Sequence, residues 1–154
     1  MKIIILGAGQ VGGTLAAQLA NERSDITVVD TDPLILRNLQ DHLDIKTVEG
    51  PASLPSTLKR AGAEDAELII AVTNSDEINI VACQVAHTIF SCPTKIARIR
   101  DQDYLNYARA LFKGIIFLLM SLLAPNSWSL TILSNSSPTR ARFKYSILPK
   151  VWCS

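Results

Sequence analysis

Three glycines near the amino end of the chain have a spacing that suits phosphate binding. Gly7, Gly9 and Gly12 lie in the string "GAGQVG", which has the pattern G-x-G-x-x-G. The first glycine permits a tight turn, the second lets the backbone approach a pyrophosphate, and the third allows the following helix to pack closely. The first turn of that helix also offers backbone N–H groups to an anion. The string therefore predicts a dinucleotide phosphate site.

A carboxylate stands where such a site needs one for the ribose. Asp30 closes the second predicted strand, eighteen residues after Gly12. A carboxylate at this place accepts hydrogen bonds from the adenosine ribose hydroxyls and repels a 2′-phosphate, which favours NAD(H) over NADP(H). The alternative is a glycine turn beside a solvated acid.

Polar side chains also follow the fourth and fifth predicted strands. Ligands of open parallel sheets bind beyond the carboxyl ends of the strands. Thr73 and Asn74 could supply a hydroxyl and an amide to the ligand, or could cap the next helix. Arg98 and Arg100 share one face of the fifth predicted strand, where a phosphate or a surface carboxylate would compensate a buried cation. We favour a phosphate for Arg98.

The elements that must position these residues alternate along the first 112 residues. Short apolar runs predict five strands at 2–6, 26–29, 45–48, 68–72 and 95–99. Helical spacing predicts the intervening helices, and Asp32 with Pro33 marks the start of the second one. Strands that alternate with helices favour a parallel sheet with right-handed crossovers. The predicted fold is α/β, a Rossmann-like doubly wound parallel sheet with helices on both faces.

The helix after the fourth strand carries a distinct apolar stripe. Its residues recur at i, i+3, i+4 and i+7, the spacing of a helix face that packs on a sheet. We expect that face to contain Ile78, Val81, Ala82, Val85, Ala86 and Ile89.

The sequence offers no set of groups for a chemical step. A dehydrogenase needs a proton-transfer group beside the reacting carbon, and usually a substrate domain. His42 and His87 are expected at the surface, and we recognise no nucleophile with its base, no metal cluster and no Walker loop. Residues 1–113 carry a net charge of −3, which does not indicate the basic surface that nucleic-acid binding requires. We predict dinucleotide binding without catalysis; the alternative is an NAD-dependent oxidoreductase fragment that lacks its catalytic domain.

Four strings together resemble a known family: "MKIIILGAGQVGGTLA", "VVDTDP", "AVTNSDEINIVACQVA" and "KIARIRDQDYL". They are similar to the N-terminal nucleotide-binding domains (RCK domains) of the TrkA family. These proteins are cytoplasmic regulatory subunits of bacterial Trk potassium uptake systems and are related to domains that regulate K⁺ conductance. The similarity covers residues 1–112, and "VTNSDE" with "ARIR" is more specific than the glycine pattern.

The resemblance implies roles for particular residues. The phosphate turn would be formed by Gly7, Ala8, Gly9, Gln10 and Val11. Asp30 would hold the ribose and Arg98 would meet phosphate, while Thr73 and Asn74 would border the adenosine side. Pro51 departs from the polar residue that many relatives place in this loop, so the resemblance gives no ligand contact there.

The resemblance also implies a function. Family members bind NAD(H), and some bind ATP or ADP, as signals rather than substrates. They assemble as symmetric homo-oligomers beneath a membrane channel subunit. Ligand exchange that favours one domain geometry would then control potassium flux. We therefore expect a regulatory subunit, not an enzyme, that lies in the cytoplasm, peripheral to the inner face of the plasma membrane.

The composition changes abruptly near Lys113. All fourteen acidic residues lie before Gly114, whereas the remaining residues carry four basic and no acidic side chains. The run "GIIFLLMSLLA" is shorter than the roughly twenty residues of a membrane-spanning helix, and Pro125 ends it. Interfacial membrane binding through the four cations is the alternative use of this segment.

A shift of reading frame explains this tail. A DNA strand that encodes family-like "IPID" in one frame encodes residues 117–120 when read one nucleotide further. The same shift relates "SPEQLV" to residues 124–129 and "HPGALQ" to residues 139–144. We predict a regulatory domain at 1–112, truncated by an aberrant out-of-frame tail at 113–154, which the gene sequence across codons 108–118 tests. If the tail is native, residues 115–119 could pair as a sixth strand.

Overall fold

The computed structural model describes residues 1–20, 24–107, 116–120 and 128–131, the last two ranges as backbone only. The helices and strands follow in chain order: β1 (Lys2–Leu6), α1 (Gln10–Ala20), β2 (Asp25–Asp30), α2 (Pro33–His42), β3 (Lys46–Glu49), α3 (Pro55–Arg60), β4 (Leu68–Ala71), α4 (Asp76–Thr88), β5 (Thr94–Ile99), α5 (Gln102–Asn106), β6 (Ile116–Met120) and β7 (Trp128–Thr131). The five strands predicted in residues 1–112 are present, each within two residues of its expected bounds.

The strands form one sheet in the order β3-β2-β1-β4-β5-β6-β7. The pairings from β3 through β6 are parallel, and β7 is antiparallel to β6. β6 pairs with β5 and lies one residue beyond the strand expected at 115–119. Strands β1 to β3 extend the sheet in one direction and β4 to β6 extend it in the other, and this change of order between β1 and β4 creates a crevice at their carboxyl ends. The predicted doubly wound α/β fold is confirmed.

The core has one layer on each face of the sheet, because successive strand side chains point to opposite faces. Ile3 and Ile5 of β1 pack with the buried residues of α1 and α2. Ile4 and Leu6 pack with those of α3 and α4. All four side chains are at most 2% exposed. Burial on both faces explains why β1 reads as a continuous apolar run.

The helix starts follow the capping chemistry of their sequences. The Asp32 carboxylate accepts from the N–H groups of Leu34 and Ile35 at 2.8 and 3.4 Å, and Pro33 occupies the first position of α2. At α4 the capping residue is Ser75, whose hydroxyl oxygen accepts from the Ile78 N–H at 3.2 Å. Capping therefore falls to Ser75, and Thr73 and Asn74 are left for other contacts.

The predicted buried stripe of α4 is partly wrong. Val81 and Ile89 are 46% and 57% exposed, whereas the buried positions of the helix are Asp76, Asn79, Ala82, Cys83 and Ala86. Small side chains at 82 and 86 let the helix lie close to the sheet. The two polar side chains are tolerated because strand-end backbone groups bond them, as described below. The prediction is confirmed at the buried residues Ala82 and Ala86 and at Ile78 and Val85, which pack partly buried against the core, and it is wrong at Val81 and Ile89.

Some of the helix and cysteine residues fall outside the described part of the chain. The helix α5 is present at Gln102–Asn106, and residues 108–115 are not described. Cys83 and Cys92 are free and buried, and burial raises the pKa of the Cys83 thiol to about 12. Cys153 lies outside the described residues. Of the helices that the structure describes, none has the length and apolarity to cross a membrane.

Candidate nucleotide-binding site

Two glycines of the β1–α1 turn are required by close contacts. Gly7 has φ +101°, and a Cβ atom there would lie 2.9 Å from the backbone N and Cα of Thr73. A Cβ atom on Gly12 would lie 1.7 Å from the carbonyl oxygen of Gly7. The glycines thus allow the turn to fold back on α1 and to lie directly against the end of β4, where the crevice opens.

The middle of the same turn is open to solvent. A Cβ atom on Gly9 would have no neighbour within 4 Å, and Gly9 and Gln10 are both exposed. α1 begins at Gln10 with no acidic residue in its first turn. The first N–H groups of a helix lack partners within the helix and carry the positive end of its dipole. An anion can therefore approach the turn backbone at Gly9.

Asp30 lies against this turn. One oxygen of its carboxylate accepts from the N–H of Ala8 at 2.6 Å, and the other accepts from the N–H of Asp32 at 2.9 Å. The half-buried side chain therefore links the β1–α1 turn to the start of α2. A carboxylate offers about four acceptor sites. Two remain for hydroxyl donors of a ligand.

Thr73 borders the turn from the β4 side. Its hydroxyl group lies 2.7 Å from Asn79 Oδ1 and 3.1 Å from the carbonyl oxygen of Ser75, both acceptors inside the protein. The hydroxyl oxygen accepts from the Ser75 N–H at 3.3 Å. Because its hydrogen is used internally, the hydroxyl can offer a ligand only an acceptor lone pair.

Asn79 is the central polar residue of this region, and the sequence analysis missed it. Its side chain is 0% exposed. Asn79 Oδ1 accepts from the backbone N–H of Thr73 at 2.9 Å, and Nδ2 donates to the carbonyl oxygens of Thr73 and Arg98 at 3.3 and 2.9 Å. A single side chain of α4 therefore joins the ends of β4 and β5.

Asp76 makes the second buried polar link, and it too was missed. Its carboxylate accepts from the backbone N–H groups of Arg100 and Asp101, both at 2.7 Å, and is 7% exposed. Arg100 Nε lies 3.5 Å from the other carboxylate oxygen, and the Arg100 guanidinium also donates to the carbonyl oxygen of Asn74. An open cleft of about 530 Å³ lies beside these residues, between the starts of α4 and α5.

Arg98 is half-buried in β5 rather than exposed to solvent. Burial lowers the pKa of its guanidinium, and the charge of Arg100 lowers it further, while Asp76 opposes both. The sequence placed Arg98 and Arg100 on one strand face. β5 ends at Ile99, however, so Arg100 lies beyond the strand and turns towards Asn74.

The structure brings most of the predicted site residues to the carboxyl edge of β1 and β4. The glycine turn is in direct contact with Asp30 and Thr73. Asn74 and Arg98 lie on the adjoining side, where Arg100 donates to the Asn74 carbonyl and Asn79 donates to the Arg98 carbonyl. Of the described histidines, His42 is exposed on α2 and His87 contacts Lys95 near the opposite end of α4. The described residues contain no group of three His, Cys, Asp or Glu arranged to hold a metal.

This fold and turn define a Rossmann-like domain with its crevice between β1 and β4, where the strand order reverses. The TrkA-N domain family matches residues 3–117, and the chain belongs to that family. It is 66% identical over 105 residues to the Trk system potassium uptake protein TrkA of Halomonas elongata, covering 68% of this chain and 23% of that protein. The chain spans less than half of the length of these curated relatives, from 23% of the Halomonas protein to 45% of the TrkA protein of Streptomyces coelicolor.

Solved structures support the same fold. The TrkA-N domain of the inner membrane protein ybaL from Escherichia coli superposes with a TM-score of 0.68 at 18% identity, over 79% of this chain and 87% of that one. The GsuK channel bound to NAD superposes with a TM-score of 0.62 at 22% identity, over 74% of this chain and 20% of that one.

Proposed function

We propose that this chain is the nucleotide-sensing part of a regulatory subunit of a potassium uptake system. It binds NAD(H) and controls K⁺ transport through a membrane channel subunit. The observation that carries the proposal is the Asp30 carboxylate, which bonds the Ala8 N–H of the glycine turn at 2.6 Å. This contact holds the carboxylate, which would accept from the ribose hydroxyls, beside the glycine turn. The Trk name of the Halomonas relative and the NAD-bound GsuK neighbour favour the same ligand and system.

The ligand would lie across the carboxyl ends of β1 and β4. Its pyrophosphate would contact the open backbone at Gly9 and the start of α1, formed by Gln10, Val11 and Gly12. The adenosine ribose would donate to Asp30, and the adenosine side would border Thr73 and Asn74. Arg98 would offer positive charge to phosphate. ATP or ADP shares the adenosine and phosphate chemistry and is the second candidate ligand.

Sensing rather than catalysis suits the groups around the turn. A hydride-transfer enzyme positions a proton donor or acceptor by the reacting carbon. Among the described residues, the two histidines lie away from the glycine turn, and the contacts of Asp30 and Thr73 are to backbone and structural groups. An oxidoreductase fragment is the second candidate, and turnover of NADH with carbonyl substrates would favour it over the regulator.

The same proposal extends to partners and location. We infer a homo-oligomer that contacts a membrane potassium channel or transporter subunit from the cytoplasmic side. The matched segment is 23% of the Halomonas relative and 27% of the Vibrio alginolyticus relative, both of which carry the Trk name. Whole-protein assembly and transport control therefore belong to the proposal. The boundary at residue 113 and the out-of-frame origin of residues 113–154 stay predictions.

Calorimetric titration with NADH, and in parallel with ATP and ADP, tests the site. We expect the wild-type chain to bind NADH and Asp30→Ala to bind it at least about tenfold more weakly, because hydrogen bonds to a carboxylate contribute about 1.5–3 kcal/mol. Asp32→Ala is the matched control. It removes the α2 cap and lowers stability by about 1 kcal/mol, yet leaves the ribose acceptor in place. Equal NADH affinity in wild type and Asp30→Ala would remove Asp30 from the site.

A further inference from the structure

The side chain of Asn79 holds two predicted ligand-contacting residues in place. We propose that Asn79 is a positioning residue of the nucleotide site: it fixes Thr73 and Arg98 relative to each other and thereby sets the affinity for NAD(H). This inference rests on the proposed NAD(H) function. Asn79 is 0% exposed, so it would act on the ligand through Thr73 and Arg98 rather than by direct contact.

The hydrogen bonds of Asn79 are concentrated on those two residues. The carboxamide is 0% exposed, and its bonds run to the N–H, hydroxyl and carbonyl groups of Thr73 and to the carbonyl of Arg98. A side chain that served only to fill α4's core face would be apolar there, as its neighbours Ala82 and Ala86 are. The polar cost of burial is offset because both ends of the amide are bonded.

These bonds stand where the sheet no longer joins the two strands. The β4–β5 ladder ends at the pair Ala71–Ala97. Thr73 and Arg98 lie just past that pair, and Asn79 bridges them from α4. The side chain therefore replaces backbone pairing at the edge of the crevice. A change in Asn79 should move Thr73 and Arg98 before it disturbs the ladder itself.

The amide of Asn79 meets the hydrogen-bonding demand at this position without charge. The Thr73 N–H requires an acceptor, which orients Oδ1 towards it, and the carbonyls of Thr73 and Arg98 require a donor. An ionised aspartate supplies the acceptor but no donor. A protonated aspartic acid of the same shape supplies both, because its O–H can donate to a carbonyl. In Asn79→Asp, protonation of the introduced carboxylate should therefore restore hydrogen bonding to Thr73 and to a neighbouring carbonyl.

The experiment measures the NADH dissociation constant of the full chain at pH 8.0 and pH 5.5. The ionisable neighbours of position 79 are Asp76 and Cys83 on α4 and Arg98 on β5, and all are unchanged in the variant. We expect Asn79→Asp to bind NADH at least about tenfold more weakly than wild type at pH 8.0, and within about threefold of it at pH 5.5. The matched control Gln84→Glu makes the same amide-to-acid change on the exposed face of α4 and should equal wild type at both pH values.

Wild-type affinity of Asn79→Asp at pH 8.0 would overturn the inference, as would a loss of affinity that is the same at both pH values. If Asn79→Asp fails to fold at pH 8.0, Asn79→Ser is compared with Cys83→Ala, an equally buried change one turn along the helix. Both should lower the melting temperature. Only Asn79→Ser should weaken NADH binding about tenfold, and equal weakening by the two variants would also overturn the inference.

The two proposals fail in different ways. A wild-type chain that binds no NADH removes the proposed function and this inference with it. A wild-type chain that binds NADH and loses affinity in Asp30→Ala, but not in Asn79→Asp, keeps the function and overturns only the role of Asn79.

Discussion

The two sides of the candidate site are stabilised in opposite ways. The glycine side, residues 7–12, depends on missing side chains: Gly7 and Gly12 leave room for backbone to meet backbone. The polar side, residues 73–79 with 98–101, depends on buried side chains, because Asp76 and Asn79 bond the ends of β4 and β5. The glycine side should therefore be sensitive to added atoms and the polar side to removed ones.

The difference has a physical basis in what each side must present. An anion needs bare N–H groups and close approach, so the glycine side gains by having no side chains between ligand and backbone. On the polar side, β4 and β5 no longer pair with each other beyond Ala71 and Ala97, and backbone groups there must find other partners. Buried side chains from α4 satisfy those groups. The glycines and the buried polar side chains therefore each meet a requirement of the backbone beside them.

The largest effect should come from adding one methyl group on the glycine side. In Gly12→Ala the new Cβ would lie 1.7 Å from the Gly7 carbonyl oxygen, so the turn must move away from α1. We expect a loss of at least about 3 kcal/mol in unfolding free energy, together with loss of NADH binding. Urea unfolding and NADH titration measure the two effects.

Gly13→Ala is the matched control for that variant. Its Cβ would have ordinary contacts, at 3.6 Å from the Ala8 carbonyl oxygen and from Leu39 Cδ2. Alanine is favoured over glycine inside a helix by up to about 1 kcal/mol, so stability should stay the same or rise. If Gly12→Ala and Gly13→Ala lose similar amounts of unfolding free energy, the close approach of residue 12 to the Gly7 carbonyl oxygen is not the cause of the loss.

The next effect should come from removing a carboxylate on the polar side. Asp76→Ala leaves the N–H groups of Arg100 and Asp101 without their acceptor, and we expect a loss of about 3 kcal/mol in unfolding free energy. Glu77→Ala, one residue along and exposed, should cost clearly less, because it removes only surface hydrogen bonds with Ser75 and Tyr104. Denaturant unfolding of both variants measures the difference. An equal cost would mean that Asp76 acts only through the α4 helix dipole, which both acids share.

The sequence was sufficient for the glycine side and insufficient for the polar side. Glycine spacing, a preceding strand and a later carboxylate are local signals, and the structure brings Gly7, Gly12 and Asp30 together as they imply. Asn79 bonds a carbonyl nineteen residues away, and no local pattern encodes that partner. A signal did exist, since Asp76 and Asn79 are in helical phase with the small residues 82, 83 and 86.

The choice of Val81 and Ile89 as core positions shows why that signal was passed over. Hydrophobicity favours the largest apolar side chains of α4, but the sheet is close enough that alanine and cysteine fit better on the buried face.

The tail is a different case. A strand at residues 115–119 was expected only if the tail is native, and β6 is parallel to β5 at this place, whereas β7 has no counterpart in the sequence analysis.

The smallest effect should come from the edge of the polar side, at the α4 cap. Ser75→Ala removes the hydroxyl that accepts from the Ile78 N–H, and we expect a loss of about 1 kcal/mol at pH 7. Ser56→Ala, an exposed serine in the first turn of α3, should change stability by less than about 0.5 kcal/mol. The contrast separates a capping hydroxyl from a solvated one.

The same variant carries a pH signature that ties the cap to Glu77. The Ser75 hydroxyl donates to the Glu77 carboxylate at 2.7 Å, and this hydrogen bond is the main cause that lowers the Glu77 pKa below its ordinary value of 4.5. A depressed carboxyl pKa stabilises the fold above the unfolded pKa, and that part is lost as pH falls through the folded pKa. The difference in unfolding free energy between wild type and Ser75→Ala should therefore decrease as the pH falls from 5 to 3. If the difference in unfolding free energy stays the same over that pH range, Ser75 stabilises the fold only by accepting from the Ile78 N–H and not through Glu77.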